Sequence, residues 1–194
     1  MKKLTVSVVL IILFCVIGVT KSQEPAKTDA SKFLYVGYKK CVMCHKGEKK
    51  GNIAGIWEKS KHAQAYAALA TEQSKEIAKK AGVKGDPQQA AECLKCHVNA
   101  YDEPASKKDV TYTMEEGVSC EACHGPGLVY KNMKVMKDIY AGTAKAADFG
   151  LIEPTKEVCI ECHNRKSPTY KEFKFEEEIK IIAHHVPKVA NTPK

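Results

Sequence analysis

A five-residue pattern, Cys-x-x-Cys-His, occurs four times in this 194-residue chain and constrains its fold more than any other feature. In chain order the copies, motifs 1 to 4, are Cys41-Val-Met-Cys44-His45, Cys93-Leu-Lys-Cys96-His97, Cys120-Glu-Ala-Cys123-His124 and Cys159-Ile-Glu-Cys162-His163. In this pattern two thiols form thioether bonds to one haem, and the adjoining imidazole binds the haem iron from the proximal side. The sequence therefore predicts four covalently bound haem c groups, one for each motif.

The use of cysteine argues against the other chemistries of a Cys-x-x-Cys pair. Eight of the nine cysteines lie in the motifs, and Cys15 lies in an apolar N-terminal run, so no thiol is left for a structural disulfide. Zinc ribbons place their paired cysteines about 15 to 20 residues apart, whereas the motifs begin 52, 27 and 39 residues apart. Neither zinc binding nor dithiol redox chemistry needs a histidine after every pair.

Histidine is scarcer than four haems with two imidazoles each would require. Of seven histidines, four are predicted proximal ligands, which leaves His62, His184 and His185 as candidate distal ligands. The neighbouring His184 and His185 side chains diverge by about 100° in a helix or 180° in a strand, so they cannot bind one iron from the same side. At least one iron is therefore open or bound by water, Met, Lys or Tyr.

The N-terminus has the layout of an export signal. Met1-Lys2-Lys3 precedes an apolar run from Leu4 to Val19, and cleavage is predicted after Ser22. A retained membrane anchor is the alternative, since the run is nearly long enough to span a bilayer. We predict a periplasmic or otherwise exported protein, with membrane association through this segment if it is kept. The predicted organisation is a signal at 1–22, a polar leader at 23–34, one tetrahaem domain at 35–188 and a flexible tail at 189–194.

The formal net charge of +8 does not predict a nucleic-acid partner. Removal of the signal lowers it to +5, and four haems would add eight propionates that are largely ionised at neutral pH. The assembled protein is expected to be near neutral or mildly acidic. We predict redox proteins as partners, and the sequence leaves the oligomeric state open.

The predicted fold class is mainly α, with short helices and loops packed around four haems and little or no β structure. About 172 mature residues give about 43 per haem, too few to wrap each haem in a conventional core. Apolar periodicity predicts helices over 53–80, 131–140 and 173–184. Residues 110–114 alternate like a short strand.

Three longer segments carry a family resemblance: Trp57-Glu-Lys-Ser-Lys-His62-Ala-Gln-Ala, Glu116-Gly-Val-Ser-Cys120-Glu-Ala-Cys123-His124-Gly-Pro-Gly127, and Cys162-His163-Asn-Arg-Lys-Ser-Pro168. Over about residues 35–188 the chain resembles the tetrahaem cytochromes of the nitrifier cytochrome c-554 family, whose best-known member takes electrons from hydroxylamine oxidoreductase. The resemblance implies a mainly helical fold, stacked haem pairs, periplasmic electron transfer, and three bis-histidine haems beside one high-spin haem. It assigns the open iron to the haem of His97. The adjacent histidines His184 and His185 depart from the family pattern.

These observations favour a one-electron carrier that relays electrons between periplasmic or membrane redox partners and needs no catalytic residue. One alternative is an enzyme that reduces nitric oxide, peroxide or a hydroxylamine-type ligand at the open iron, with Tyr66, Tyr101, Tyr112 or a lysine as proton donor. Another alternative is a subunit of an extracellular haem filament.

The motif count gives the first testable prediction. Intact-protein mass spectrometry of the purified, denatured protein should show the polypeptide plus four haem groups, because thioether bonds survive unfolding. A mass that corresponds to only three haems would contradict the prediction.

Overall fold

The computed structural model describes residues 30–187, so the predicted signal at 1–22, most of the leader and the tail at 189–194 lie outside it. The described part is built from short helices joined by loops. Its α-helices are α1 (Tyr38–His45), α2 (Ile53–Glu58), α3 (Ala65–Ala68), α4 (Glu72–Lys80), α5 (Ala91–His97), α6 (Cys120–His124), α7 (Met133–Tyr140), α8 (Lys156–Ile160) and α9 (Phe175–Ile182). Single 3-10 turns occur at Ala30–Lys32, Glu48–Lys50, Ala105–Lys107, Met114–Glu116 and Ala146–Phe149.

The predicted fold class is confirmed for this part of the chain. Between residues 30 and 187 no strand forms, and the β pairing there is one isolated parallel bridge between Tyr35 and Lys108. No helix within these residues has the length and apolar character needed to cross a membrane.

The single helix predicted over 53–80 is wrong, because the chain there forms α2, α3 and α4. The His62 carbonyl accepts N–H bonds from Ala65 and, across the fold, from Val118 (3.2 and 3.1 Å). A carbonyl engaged in this way does not continue an α-helical ladder. Farther along, Thr71 caps α4 by accepting the N–H of Ser74, which starts a new helix at Glu72.

The strand predicted at 110–114 is also wrong. Val110 is 99% exposed, so the alternating pattern does not mark one buried face. Thr111 bonds to the Asp109 carboxylate through its N–H and hydroxyl, and Thr113 caps the Met114–Glu116 turn. These local side-chain bonds replace the hydrogen bonds of a strand.

The other two predicted helices form within shorter bounds. Asn132 caps α7 by accepting the N–H groups of Lys134 and Val135, so that helix begins at Met133 rather than at 131. Helix α9 ends at Ile182, and the extended Ala183 follows it. His184 therefore lies just beyond the helix instead of within it.

Few side chains form a protein core of the usual kind. Eight hydrophobic residues of the described part are buried, namely Val36, Ala54, Leu69, Ala78, Ala90, Leu94, Val98 and Tyr130. A domain of this size normally buries many more large apolar side chains. This scarcity agrees with the expectation that haem groups supply most of the apolar interior.

A buried carboxylate ties the start of the domain to motif 3. Glu121 is only 2% exposed. Its oxygens accept the N–H groups of Val36 (2.9 Å), Gly37 (2.8 Å) and Gly127 (2.6 Å). Since Gly37 precedes α1, this cluster of bonds fixes the helix of motif 1 against the helix of motif 3. Burial raises the pKa of Glu121, and the three N–H groups oppose that rise.

We predict that Glu121→Gln destabilises the protein by about 1 to 3 kcal/mol, because the amide keeps one acceptor oxygen and points an N–H group at backbone donors. Urea unfolding of the haem-loaded protein, followed by far-ultraviolet circular dichroism, measures this change. Glu76→Gln is the matched control, since Glu76 is an exposed residue of α4. Equal unfolding free energies for the two variants would contradict the prediction.

Candidate haem sites

Each motif lies on or at the end of one helical turn. Helices α1, α5 and α6 end at His45, His97 and His124, the histidines of motifs 1 to 3. In motif 4 the His163 N–H bonds to the Cys159 carbonyl at 2.9 Å, which continues the turn of α8. Residues spaced i, i+3 and i+4 share one face of a helix, so both thiols and the imidazole of a motif approach one side of the chain.

Motifs 1 and 3 are in direct contact. Helices α1 and α6 pack together. The neighbouring Cys120 thiol, together with burial, raises the pKa of Cys41, whereas the Cys41 thiol lowers the pKa of Cys120. Helices α1 and α6 therefore bring two haem-attachment positions together, although 79 residues separate them in sequence.

Motif 4 is a neighbour of motif 2 and of motif 3. Burial and the neighbouring Cys96 raise the pKa of Cys162 to about 12, and the Cys162 thiol lies 4.0 Å from the Lys95 carbonyl. Burial and the nearby Cys159 raise the pKa of Cys123 to about 11. The motifs thus follow one another in space in the order 1, 3, 4, 2.

The structure places two of the candidate distal histidines opposite predicted proximal ones. The ring centres of His124 and His184 are 5.8 Å apart, and those of His62 and His163 are 6.0 Å apart. Metal–imidazole bonds of about 2.0 to 2.1 Å put two imidazoles on opposite sides of one ion with ring centres about 6 Å apart. Both pairs therefore have the spacing that an iron between them requires.

Hydrogen bonds fix the orientation of three of these imidazoles. The Nδ1 atoms of His97, His124 and His184 lie 2.7, 3.3 and 3.1 Å from the backbone carbonyls of Ala65, Ile152 and Ile182. A metal-bound histidine commonly donates its second ring N–H to a carbonyl in this way. In each case Nε2 is left as the nitrogen for iron.

Burial keeps three of the imidazoles in the neutral form that binds metal. Burial is the largest cause of the lowered pKa of His45, His62 and His124. A neighbouring imidazole lowers each pKa further. His184 acts in this way on His45 and His124, and His163 acts on His62.

An apolar cavity of about 370 Å³ joins motifs 1 and 3, a volume within the usual range for a cofactor site. Three thiols and four imidazoles line it: Cys41, Cys120, Cys123, His45, His62, His124 and His184. Its remaining wall includes Trp57, whose indole N–H bonds to the Val118 carbonyl at 2.8 Å and whose ring stacks on Tyr38. The chemistry of this lining fits haem, which is large and apolar and needs thiols and imidazoles at its edge and faces.

Motif 2 has a different environment. Cys93 packs against a hydrophobic cluster of Leu69, Leu94 and Val98. Tyr66 and Tyr101, two of the suggested proton donors, also pack against this cluster. The third, Tyr112, donates its hydroxyl to the Asn99 carbonyl. Among the ring contacts of the described residues, none pairs His97 with a second imidazole.

His185 lies beside the loop that follows motif 1. Its carbonyl oxygen lies only 2.3 Å from the position that a Cβ on Gly51 would take. Gly51 adopts φ +80°, a conformation that favours glycine, so the C-terminal segment packs closely on this loop. The segment thereby brings the backbone of the exposed His185 against the loop that follows motif 1, while His184 lies beside His124 of motif 3.

The eight thiols within residues 30–187 are all free of disulfides. Within residues 30–187 no group of three or more His, Cys, Asp and Glu side chains is placed to hold a metal ion.

Sequence reasoning missed the part that Glu121 plays in joining two motifs. The feature of the sequence that could have indicated this role is the position of Glu121 between the two cysteines of motif 3, close to Gly125-Pro126-Gly127.

Comparison with known proteins shows what these motifs are similar to. A model of the family described as cytochrome c554 and c-prime matches residues 40–125, which include motifs 1 to 3. Cytochrome c-554 of Nitrosomonas europaea is 35% identical over 107 residues, a match that covers 50% of this chain and 40% of that protein. No solved structure matches the chain.

The family resemblance predicted from the sequence is thereby confirmed. Residues 40–125 are similar to the cytochrome c554 family, and these matches support a c-type cytochrome that holds haem covalently and carries electrons.

Proposed function

We propose that this chain is an exported cytochrome with four haem c groups that relays single electrons between periplasmic or membrane redox partners. The observation that carries the proposal is the order of the motifs in space, 1, 3, 4, 2. Helices α1 and α6 pack together, the Cys162 thiol lies 4.0 Å from the Lys95 carbonyl, and Cys159 is a neighbour of Cys123. When bound, each haem would supply an iron that gains or loses one electron. Neighbouring attachment points form a row, which suits transfer from haem to haem rather than separate reactions at isolated sites.

Two distal ligands follow from the ring pairs. His184 serves the haem of motif 3 opposite His124, and His62 serves the haem of motif 4 opposite His163. The spacings of 5.8 and 6.0 Å support these assignments. The carbonyl bonds to Nδ1 of His124 and His184 hold both rings with Nε2 available.

The remaining assignments follow from position and number. His185 serves the haem of motif 1, since its segment packs on the Gly51 loop. His97 then has no histidine partner, because the seven histidines are all used. The haem of motif 2 therefore has the open or differently bound iron, at one end of the row.

The protein side chains also set the conditions for repeated electron transfer. Burial of His45, His62 and His124 lowers their pKa, which favours the neutral form that binds metal. Two imidazoles hold an iron at a low potential and leave no position for substrate. Three such sites in contact form a conduit, and export follows from the pattern of residues 1–22.

We predict that the oxidised protein has a high-spin ferric signal in electron paramagnetic resonance that accounts for about one quarter of its iron. Cyanide should remove this signal, since it binds an open sixth position. A fully low-spin spectrum before cyanide addition would contradict the proposed ligand set.

Replacing His62 with alanine should raise the high-spin fraction from about one quarter to about one half, because the haem of motif 4 loses its distal ligand. Lys61→Ala is the matched control, since Lys61 is the exposed neighbour of His62, and its spectrum should equal that of the wild type. A low-spin signal unchanged by His62→Ala would refute the assignment of His62.

A further inference from the structure

Motif 1 has the thiol that is most open to solvent. Of the eight motif cysteines, Cys44 is exposed and the other seven are partly buried. The residue before it, Met43, is 76% exposed. A haem attached at Cys44 therefore has its edge near the protein surface, beside an apolar side chain of a type enriched in protein interfaces.

Lysines surround this position. Lys46, Lys49 and Lys50 are all exposed. The ion pairs within residues 30–187 involve Lys75, Lys95, Lys134 and Lys174, and none of these three lysines. We name the set Met43, Cys44, Lys46, Lys49 and Lys50 the motif 1 face.

The other three motifs lack such a charge. Residues 39–50 contain five lysines and one glutamate, a net charge of +4. The equivalent windows, 91–102, 118–129 and 157–168, have net charges of −1, −1 and 0. In the first of these, the only lysine, Lys95, is paired with Asp102 at 3.8 Å. The positive charge is thus a property of motif 1 and not of haem attachment in general.

The position of motif 1 at one end of the row indicates what its positive charge can do. Motif 1 lies against motif 3 because helices α1 and α6 pack together, and it stands at the end of the row opposite motif 2. An end position with an exposed edge is where an electron can enter or leave. Because eight propionates would offset most of the overall charge, a local patch, rather than the net charge, would orient a partner.

We propose that the motif 1 face is the docking surface for an acidic one-electron redox protein, which exchanges electrons with the row through the haem of motif 1. The apolar Met43 and the thioether edge at Cys44 lie at the centre of the contact, and Lys46, Lys49 and Lys50 pair with carboxylates at its rim. This proposal rests on the electron-relay function proposed above. The partner gives up or accepts one electron per encounter, and the haem iron changes by one oxidation state.

The experiment measures reduction of the haem-loaded protein by stopped flow. Flavodoxin in its reduced form is the acidic donor, and a neutral lumiflavin semiquinone is the uncharged donor. With flavodoxin, the second-order rate constant should fall at least tenfold as ionic strength rises from about 10 to about 300 mM, because salt screens the attraction. With lumiflavin the rate should change little.

Two matched charge reversals locate the surface. Lys49→Glu/Lys50→Glu should lower the flavodoxin rate at low ionic strength at least tenfold and flatten its salt dependence. Lys79→Glu/Lys80→Glu alters the net charge equally at the exposed end of α4, and should lower the rate less than threefold. Both variants should keep the wild-type haem spectrum and the wild-type lumiflavin rate.

The outcomes separate the two proposals. Equal losses in the two variants, or no loss at Lys49 and Lys50, would overturn the docking surface while the relay function stands. A wild-type protein that lumiflavin cannot reduce would overturn the relay function and, with it, the docking surface.

Discussion

Covalent attachment of haem to single helical turns is the constraint on which the rest of this structure depends. A Cys-x-x-Cys-His sequence needs only one turn to bring two thiols and an imidazole to one side. The helices that carry the motifs can therefore be as short as Cys120–His124. The chain has correspondingly few buried hydrophobic residues of its own, and an apolar cavity lined by thiols and imidazoles lies between motifs 1 and 3.

Backbone carbonyls orient imidazoles in this chain, a role that side-chain carboxylates have in many metal proteins. Carbonyls of Ala65, Ile152 and Ile182 orient three imidazoles. The break between α2 and α3 frees the His62 carbonyl to accept the N–H of Val118, which fixes the loop that carries His62 beside motif 3. Interrupted helices are thus part of how this chain positions its histidines, since a continuous helix would use those carbonyls internally.

The arrangement gives the row two unlike ends. Motif 2 packs its Cys93 against a hydrophobic cluster with tyrosines, whereas motif 1 presents an exposed thiol, an exposed methionine and three exposed lysines. Burial and charge therefore differ between these two motifs. The relay proposed above would use this asymmetry to exchange electrons with different partners at its two ends.

The sequence by itself determined the local chemistry: four haem motifs, seven histidines and too little apolar chain for a conventional core. These follow from residues close together in the chain, where helical spacing is enough. Only the tertiary structure decided which histidines face each other, since His124 and His184 are 60 residues apart and His62 and His163 are 101 apart. It also decided the order of the motifs in space and the break after α2. Both depend on hydrogen bonds or packing between distant segments, such as the bonds of Val36 and Gly37 to Glu121, and periodicity within one segment does not contain that information.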